Sequence, residues 1–368
     1  MQKAFQAGRG WLDRMQQVAE TSLEDADAFG GRADGAPTTP AHEITDFGDN
    51  PGHLRMFMRV PPASIGVATS IRAHAGAVQG TSRLPGEPAR SPALVVVLHG
   101  CLQTPASYDR GSGWSILADR CGFALLLAGQ RAANNPNRCF NWFSPDHAAR
   151  DAGEACSIRQ MIDYMIRHHG VDRRRIFVVG LSAGGAMATN LLAVYPEVFA
   201  AGAVLSGLAF GSAASMSEAL TSMAQGCSQT PKEWGNLVRA ASAHSGPWPR
   251  LSVWHGGADT VVHPANAEAL VAQWTDLHRL GRPPREEVMA GHRRRVWSGA
   301  DGRAVIESFT IAGMGHGVPV TARGQPPGVG SASPFHLEAG ICSTSQIARF
   351  WGLLPPAETV GTAVGVSA

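Results

Sequence analysis

Segment 180–184 reads Gly-Leu-Ser-Ala-Gly and constrains the fold of this chain more than any other stretch. A largely apolar run typical of a strand comes before it, and a run of small residues typical of a helix comes after it. A serine on such a strand-to-helix turn adopts a strained backbone, which requires neighbours with almost no side chain. Gly180 and Gly184 meet this requirement, so the sequence predicts that Ser182 projects its hydroxyl from the edge of a sheet.

Apolar runs and helical patterns alternate along most of the chain. The run at 93–98, Ala-Leu-Val-Val-Val-Leu, is continuous and rich in β-branched residues, as buried parallel strands require. Together with the turn at Ser182, this order predicts the α/β class and an α/β-hydrolase fold, a mostly parallel twisted sheet with helices on both faces. The expected strands are 54–60, 93–98, 123–127, 175–179, 201–206, 251–255 and 304–311, and the expected helices are 114–121, 151–169, 185–192 and 265–280.

The 368 residues suffice for one large core with appendages. Residues 1–50 are predicted to form an N-terminal appendage, with a helix over 1–20 followed by a flexible linker. Residues 51–358 are predicted to form the α/β-hydrolase catalytic domain, and residues 359–368 a flexible tail. Residues 207–250 lack strand patterns and are expected to form an insertion over the sheet edge.

Charge and hydropathy exclude several classes of partner. The formal net charge of +2 produces no field that would attract nucleic acid. We interpret the cluster 293–295, three arginines, as a solvated strand or loop face rather than a phosphate site. No stretch of about twenty apolar residues occurs, so no membrane span is expected. The first residues lack the apolar segment of a secretory signal, which predicts a cytoplasmic protein.

Cysteine usage gives no indication of a metal centre. The chain has six cysteines, and none of them forms a Cys-x-x-Cys pair, so neither a zinc site nor a thioredoxin-like site is predicted. One or two disulfides remain open, because the sequence cannot give their pairing. We expect neither a metal nor a cofactor.

A serine hydroxyl needs a general base, and the base needs a carboxylate that orients it. On the α/β-hydrolase fold these partners follow the serine in the order aspartate, then histidine, each on a loop after a later strand. Asp259 follows the strand at 251–255 through a glycine turn, and His316 lies between glycines after the strand at 304–311. The sequence therefore predicts Ser182 as nucleophile, Asp259 as orienting carboxylate and His316 as base.

Alternatives to these assignments stay open from the residues alone. Asp259 in its glycine turn can act as a turn cap, and His316 can be an ordinary loop histidine. Among fourteen histidines, His263 is the main rival for the base, but its closeness in sequence to Asp259 leaves little room for the required geometry. His255 is expected to pack in the turn beside Asp259.

Acyl transfer also needs backbone N–H donors at the carbonyl oxygen, which becomes negatively charged during the reaction. The first donor is expected from Ala183, the residue after the nucleophile. The second is expected from the loop after an earlier strand, where the sequence Leu-His-Gly-Cys-Leu-Gln-Thr at 98–104 suggests the N–H of Cys101. His99 in the same loop is assigned a structural role, bonding backbone groups.

Six segments together resemble the poly(3-hydroxybutyrate) depolymerase family of esterases, α/β-hydrolases related to feruloyl and acetylxylan esterases. The resemblance covers about residues 50–355, and the combination of motifs is highly specific. The segments are VVVLHGCLQTPASYD (95–109), GSGWSILADR (111–120), NNPNRCFNWF (134–143), VVGLSAGGAM (178–187), WHGGADTVVHPAN (254–266) and GMGHG (313–317).

The resemblance implies a serine carboxylesterase (EC 3.1.1.-) with the triad Ser182, Asp259 and His316. It leaves a feruloyl esterase, an acetylxylan esterase and a polyester depolymerase proper open as alternatives. The chain lacks a separate polymer-binding domain, so short-chain or aromatic esters or hydroxyalkanoate oligomers are the expected substrates. Many members of the family are secreted, which leaves an extracellular location open beside the cytoplasmic one. The oligomeric state stays open.

Two of the matching segments bring cysteines towards the expected site. We hypothesise that Cys101 and Cys139 form a disulfide. It would tie the loop at 98–104, which we call the oxyanion loop, to the Asn-Trp-Phe segment at 141–143. Two buried free thiols are the alternative. Substrate pockets are mostly apolar and aromatic, so Trp142 and Phe143 are candidate substrate-binding residues, with core packing as the alternative. Gln103 in the oxyanion loop is the third candidate.

Two rival functions remain. A peptidase of the same fold is disfavoured, because nothing in the chain resembles the propeller or large cap that restricts peptide entry. A non-catalytic binding module is disfavoured, because all three triad positions are filled.

Overall fold

The computed structural model describes residue 10 and residues 13–17, 41–61, 91–321 and 329–355. The strands are β1 (His42–Ile44), β2 (Arg55–Arg59), β3 (Leu94–Leu98), β4 (Ala124–Gly129), β5 (Ile176–Leu181), β6 (Ala201–Leu205), β7 (Arg250–Gly256), β8 (Arg285–Met289), β9 (His292–Ser298), β10 (Ala304–Ile311), β11 (Val318–Val320) and β12 (His336–Glu338). The helices are α1 (Pro105–Ser112), α2 (Trp114–Cys121), α3 (Pro145–Ala148), α4 (Gly153–His169), α5 (Ala183–Val194), α6 (Met216–Gln225), α7 (Pro231–Ala241), α8 (Ala265–Leu277) and α9 (Ser343–Trp351).

In the part of the chain that the structure describes, ten strands form one sheet in the order β1-β2-β4-β3-β5-β6-β7-β10-β9-β8. The six central strands, from β4 to β10, are parallel, and the two strands at each end run antiparallel. Leu181 at the end of β5 pairs with Leu205, and Leu205 pairs with Trp254 near the end of β7. The loops that carry Ser182, Asp259 and the segment after β10 therefore leave the sheet at the same edge. This arrangement confirms the predicted mostly parallel α/β sheet.

The central strands are buried on both faces, as their continuous apolar sequences predict. Every residue of β3, β4, β5 and β6 is buried. Helices cover both faces of the sheet. On one, α2 and α9 meet where the ring of Trp114 stacks on Trp351, which stacks in turn on Phe177 of β5. On the other, α5 packs with α4 and α7, and all twelve of its residues are buried.

Charged strands after residue 284 were not predicted. β8 and β9 form an antiparallel hairpin that extends the sheet beyond β10. The arginines at 293–295 lie on β9 and pair with glutamates: Arg293 with Glu286 (2.7 Å), Arg294 with Glu287 and Glu307, and Arg295 with Glu268 (2.6 Å). Of the expected strand or loop face, the structure shows a strand face, and ion pairs with neighbouring strands and with α8 compensate its charges.

The strand at 304–311 was expected to be the last one, which is wrong. β11 and β12 follow it and pair in parallel as a separate two-stranded sheet. Val318 and Val320 on β11 are buried, and α9 packs on this small sheet. The strands are only three residues long, too short for a periodic pattern to reveal them.

Segment 207–250 contains two helices, α6 and α7, and its described backbone forms no strand before β7 begins at Arg250. α7 packs on α8, where Gln273 bonds the carbonyl oxygens of Phe210 (3.0 Å) and Trp234 (3.1 Å). The segment is thus held against a helical layer of the fold. Its status as an insertion stays a prediction.

The N-terminal segment is described only in part. Residues 13–17 are helical, and Met15 is buried in the main core. β1 lies within the predicted appendage, residues 1–50, yet it pairs with β2 at the edge of the large sheet. The remainder of the expected helix over 1–20, the linker and the tail over 359–368 lie outside the described residues. None of the described helices is both long and apolar enough to span a bilayer.

Candidate active site

Ser182 occupies the sharp turn between β5 and α5. Its backbone has φ 56° and ψ −120°, a region that residues with a side chain rarely adopt. Two hydrogen bonds hold it there: the Ser182 N–H donates to the carbonyl of Leu205 (2.9 Å), and its own carbonyl accepts from the N–H of Ala186 (2.8 Å). The strand β6 and the first turn of α5 thus over-determine the strained conformation.

The glycines around Ser182 are required by close backbone contacts. A Cβ atom on Gly180 would lie 2.2 Å from the carbonyl oxygen of Gly184. A Cβ atom on Gly184 would lie 2.4 Å from the carbonyl oxygen of His99 and 2.5 Å from that of Leu98. The turn is therefore pressed directly against the loop that follows β3, which is the predicted oxyanion loop.

Asp259 lies in the loop after β7, and both of its carboxylate oxygens are engaged. Oδ1 accepts hydrogen bonds from the N–H groups of Val261 and Val262, each at 2.9 Å. Oδ2 accepts from Nδ1 of His316 at 2.8 Å. The structure therefore brings these two predicted partners together, although 57 positions separate them in the chain.

His316 follows β10 and is 1 % exposed. Its loop is held against the loop of Asp259, since a Cβ atom on Gly256 would lie 2.2 Å from the carbonyl oxygen of Gly315. Among the described residues, Nε2 of His316 has no hydrogen-bond partner, so the hydroxyl of Ser182 does not bond it in this structure. Catalytic hydrogen bonds are often long before substrate binds and shorten in the substrate complex.

The Asp259 carboxylate is stabilised in its charged form. Burial alone would raise its pKa, but the imidazoles of His316 and His255 and the backbone N–H of Val262 lower the pKa to about 2. A bond from Nδ1–H to this carboxylate fixes the His316 tautomer, so that Nε2 is the nitrogen with a free lone pair. That nitrogen can accept a proton.

The loop after β3 carries Cys101, whose N–H is the second predicted donor. The predicted disulfide between Cys101 and Cys139 is present. The N–H of Leu102 donates to the carbonyl of Asn137 (2.7 Å), which ties the same two segments a second time. Ala183 is the first residue of α5, so no carbonyl of the helix lies four residues before it to accept its N–H.

Comparison with known proteins places this site in a family. Residues 81–282, more than half of the chain, match the family model described as Esterase PHB depolymerase. The chain belongs to this esterase family. The esterase is 39 % identical to a poly(3-hydroxyalkanoate) depolymerase C from Paucimonas lemoignei over 314 residues, 85 % of this chain and 70 % of that one.

Further relatives carry the names of carbohydrate-linked esterases. The esterase is 31 % identical to an acetylxylan esterase of Coprinopsis cinerea, over 77 % of this chain and 71 % of that one. It is 32 % identical to a feruloyl esterase B of Thermothelomyces thermophilus, over 74 % and 87 % of the two chains. The solved acetyl xylan esterase from Aspergillus awamori matches the fold with a TM-score of 0.66 at 23 % identity, over 86 % of this chain and all of that one. The protein is a carboxylic ester hydrolase with the α/β-hydrolase fold.

His99 has the structural role that the sequence predicts. It is buried, its Nδ1 bonds the carbonyl of Gly100 (2.8 Å), and its Nε2 accepts from the N–H of Gln130 (3.1 Å). Burial lowers the pKa of His99 to about 4, so the ring stays neutral at pH 7. Gln103 also holds this loop, because its Oε1 accepts the N–H of Gly100 at 2.9 Å. Among the described residues its Nε2 has no hydrogen-bond partner, and its role in binding substrate stays a prediction.

A buried glutamate that the sequence analysis missed supports the site. Glu154, near the start of α4, is fully buried and accepts three hydrogen bonds: from the N–H (2.8 Å) and Nδ2 (2.6 Å) of Asn141 and from Nε2 of Gln130 (2.7 Å). Gln130 also donates to the carbonyl of Cys139 (3.1 Å). Through Gln130 and His99, the carboxylate connects the Asn-Trp-Phe segment to the oxyanion loop. An acidic residue in a first helical turn is ordinary in sequence, so only its burial reveals this role.

The two aromatic candidates differ in exposure. Trp142 is 6 % exposed and packs in the core, and its carbonyl accepts from Nδ2 of Asn190 on α5 (2.8 Å). Phe143 is half-buried and meets the Trp142 ring edge-on, with centroids 5.7 Å apart. Of the two, Phe143 therefore has more surface that a ligand can contact.

The other histidines near Asp259, His263 and His255, have different surroundings from His316. His263 is exposed, and its Nδ1 accepts from the N–H of Ala265 (3.2 Å). His255 packs beside Asp259, as expected, and its Nε2 bonds the carbonyl of Val262 (2.8 Å). Within the described ranges, no three His, Cys, Asp or Glu side chains are grouped as metal ligands would be.

Proposed function

We propose that this esterase cleaves carboxylic esters through an acyl-serine formed on Ser182, with His316 as general base and Asp259 as the orienting carboxylate. The observation that carries the proposal is the buried Asp259–His316 pair, bonded at 2.8 Å, which leaves Nε2 of the imidazole as the free proton acceptor. The strained backbone of Ser182 at the same edge of the sheet supports it, because strain of this kind concentrates at functional sites.

Acylation follows from these positions. The Ser182 Oγ attacks the ester carbonyl carbon while its proton passes to Nε2 of His316. The negative charge on the carbonyl oxygen is stabilised by the N–H groups of Ala183 and Cys101, the proposed oxyanion donors. The ester C–O bond then breaks, the leaving alcohol takes the proton from Nε2, and the acyl group remains on Oγ.

Deacylation reverses the proton transfers. A water molecule gives its proton to Nε2 and attacks the acyl-serine carbonyl, and the same two N–H groups hold the second oxyanion. The bond to Oγ breaks, the serine recovers the proton, and the carboxylic acid leaves. Asp259 remains ionised throughout and stabilises the imidazolium that forms in both halves.

For the substrate, we propose hydroxyalkanoate oligomers. The support is the relative named poly(3-hydroxyalkanoate) depolymerase C, which is 39 % identical over 85 % of this chain, against 31–32 % for the acetylxylan and feruloyl esterases above. Phe143, half-buried at the Asn-Trp-Phe segment, and Trp142 behind it are proposed to form the apolar wall of the acyl site.

The mechanism is tested with p-nitrophenyl acetate. Ser182→Ala is expected to reduce p-nitrophenol release by at least about 10⁴-fold, as loss of a triad nucleophile does. The matched control is Ser217→Ala, which removes an exposed serine on α6 outside the site. Equal release by wild type and Ser182→Ala would reject the proposed nucleophile.

The substrate is tested with a panel under one set of conditions: 3-hydroxybutyrate trimer, methyl ferulate, acetylated xylo-oligosaccharide and p-nitrophenyl acetate. We expect the trimer to have the highest kcat/KM among the three natural ester types. A kcat/KM at least about tenfold higher on methyl ferulate or acetylated xylo-oligosaccharide, equal to 1.4 kcal/mol of transition-state binding, would reassign the substrate.

A further inference from the structure

A cavity lies at the edge of the sheet opposite Ser182. Its volume is about 1130 Å³. Phe177 near the start of β5, Arg250 at the start of β7 and Val305 near the start of β10 line it. In parallel strands these positions form the amino edge, whereas Ser182 and Asp259 follow the carboxyl ends. The cavity is therefore separate from the proposed catalytic site, and we refer to it as the arginine cavity.

The lining carries a large excess of positive charge. Among the described residues that line it, six are arginines and one, Asp301, carries a carboxylate. Arg239 is compensated by an ion pair with Asp276 at 2.6 Å. Among the described residues, four others have no carboxylate within ion-pair distance: Arg174, Arg250, Arg279 and Arg303.

Arg250 is the central uncompensated charge. Its guanidinium lies over the ring of Phe350, 4.6 Å from the centroid, and donates to the carbonyl of Phe350 at 2.7 Å. Burial, followed by repulsion from Arg303, lowers the pKa of Arg250 to about 10. The buried Glu307 is already bonded to Arg294 at 2.7 Å. A desolvated cation with no ion-pair partner is costly, and a bound anion would lower that cost.

One wall of the cavity is apolar and held in place. It is formed by segment 246–249, in which Trp248 is half-buried. Two histidines fasten this wall: Nε2 of His244 bonds the carbonyl of Pro247 (2.9 Å), and Nε2 of His278 bonds that of Pro249 (3.0 Å). Burial lowers the pKa of His278. The cavity thus combines four uncompensated guanidinium groups with a flat aromatic surface.

We propose that the arginine cavity binds a polyvalent anion made of linked phosphate groups. A guanidinium presents a fork of N–H donors that matches phosphate oxygens in pairs, and several such forks around one volume suit several adjacent phosphates. A monovalent carboxylate would compensate only one of the four charges. Inorganic tripolyphosphate and a nucleoside triphosphate share this chemistry, and the Trp248 surface distinguishes them, since only a nucleotide has a ring to place on it.

Binding is measured by titration calorimetry at about 0.15 M salt, where surface electrostatics are largely screened. The probes are tripolyphosphate, ATP without metal, and 3-hydroxybutyrate. We expect saturable one-to-one binding of tripolyphosphate or ATP with a Kd of about 100 µM or lower, and no saturation by 3-hydroxybutyrate. ATP binding about tenfold tighter than tripolyphosphate would identify a nucleotide, and equal affinity a free oligophosphate; both support the site.

Charge variants locate the binding. Arg303→Ala and Arg250→Lys are each expected to weaken binding by about tenfold, the effect of one hydrogen bond to a charged group. Arg303 is exposed, so its substitution keeps the test usable if Arg250→Lys does not fold. The matched control, Arg293→Ala, removes the same charge beside Thr310 at the carboxyl edge and should leave the affinity unchanged.

Two results would overturn the proposal. One is the absence of saturable binding by both tripolyphosphate and ATP. The other is an equal loss of affinity in Arg293→Ala and Arg303→Ala, which would indicate nonspecific attraction to positive charge. All titrations are repeated with Ser182→Ala protein, so the result does not depend on whether the proposed esterase mechanism holds.

Discussion

Nε2 of His255 lies 3.5 Å from Oδ2 of Asp259, the same oxygen that accepts the Nδ1–H of His316. The carboxylate is thus placed between two buried imidazoles. Nε2 of His255 also bonds the carbonyl of Val262 at 2.8 Å, so the ring is held in the turn that carries Asp259. We propose that His255 is a positioning residue, which holds the carboxylate of Asp259 in place for the proposed base His316.

The first prediction concerns this positioning. His255→Asn should lower kcat by about 10- to 100-fold, the usual cost of a displacement of about 1 Å near the reacting groups, with KM changed less than twofold. Asp259→Asn should cost more, about 10⁴-fold, because it removes the carboxylate that sets the tautomer of His316. His263→Asn, which alters an exposed histidine of the same loop, is the control. An equal kcat in His255→Asn and wild type would contradict the role.

The second prediction concerns the buried carboxylate of Glu154. Glu154→Gln replaces an acceptor oxygen by an NH₂ group facing donors of Asn141 or Gln130, so about 1–3 kcal/mol of unfolding free energy should be lost. The kcat should fall as the Asn-Trp-Phe segment shifts. Urea unfolding and kinetics on p-nitrophenyl acetate measure the two effects. Glu218→Gln on the exposed face of α6 is the control, and a Glu154→Gln protein with unchanged stability would contradict the proposed network.

A third prediction follows from the Cys101–Cys139 bridge. Its cysteines are 38 positions apart, and the chain-entropy model gives about 4 kcal/mol for closing such a loop. Cys139→Ser should therefore lower the unfolding free energy by up to that amount, and kcat should fall because the N–H of Cys101 is a proposed oxyanion donor. Cys121→Ser, at a half-buried free thiol, should change neither. Wild-type protein treated with a thiol reductant should behave as Cys139→Ser does; full stability after complete reduction would refute the prediction.

The fourth prediction tests the close contact behind the nucleophile. Gly184→Ala places a Cβ atom within about the 2.4–2.5 Å of two carbonyl oxygens given above, and backbone atoms cannot move aside at low cost. We expect several kcal/mol of lost stability, or no folded protein, as overpacking in a rigid site produces. Gly281→Ala has no atom within 4 Å of the added Cβ and should be near neutral. Similar melting temperatures for the two variants would show that the turn can relax.

The fifth prediction concerns acid. Burial lowers the pKa of His99 and of His336 to about 4 in the folded protein, against about 6.5 unfolded. Between these values only the unfolded state binds the two protons, so the stability present above pH 6.5 is lost as the pH falls towards 4. Each imidazole should account for about 2 kcal/mol between pH 7 and pH 5.

Urea unfolding at the two pH values measures this loss. His336→Gln removes one of the two titrating groups, and its loss of stability from pH 7 to pH 5 should be about 2 kcal/mol smaller than that of wild type. His53→Gln, at an exposed histidine, should lose as much as wild type does. An identical pH dependence in His336→Gln and wild type would show that His336 is not buried in its neutral form.

The sequence predicts the parts of the site whose chemistry is local. Ser182, Asp259 and His316 each follow an apolar strand and stand among glycines, and parallel strands bring their ends to one edge, so their order along the chain was enough to propose them. The role of Glu154 escaped prediction because it depends on the position of its partners. Glu154 is buried because α4 packs beside the Asn-Trp-Phe segment.

In the fold too, elements with a local sequence signal were predicted, and elements that depend on contacts between distant residues were missed. Strand β3 is continuous in apolar residues and is predicted within one residue, whereas the hairpin of β8 and β9 is rich in arginine and glutamate and was missed. Its charges are compensated by partners on other strands and on α8, such as Glu268 for Arg295. Compensation between distant positions leaves no periodic signal in the chain, and propensity alone does not favour a strand there.

The two hydrogen bonds that hold the Ser182 backbone come from β6 and from the first turn of α5, and neither comes from the loops that would touch an ester. The backbone that carries the hydroxyl is thus hydrogen-bonded to the sheet and to its own helix rather than to the surrounding loops. Substitutions in the loops around Ser182 can therefore change which acyl or alcohol group fits the site, while the Ser182 Oγ stays in place. Relatives named for polyester, acetyl and feruloyl chemistry are what such a separation would be expected to yield.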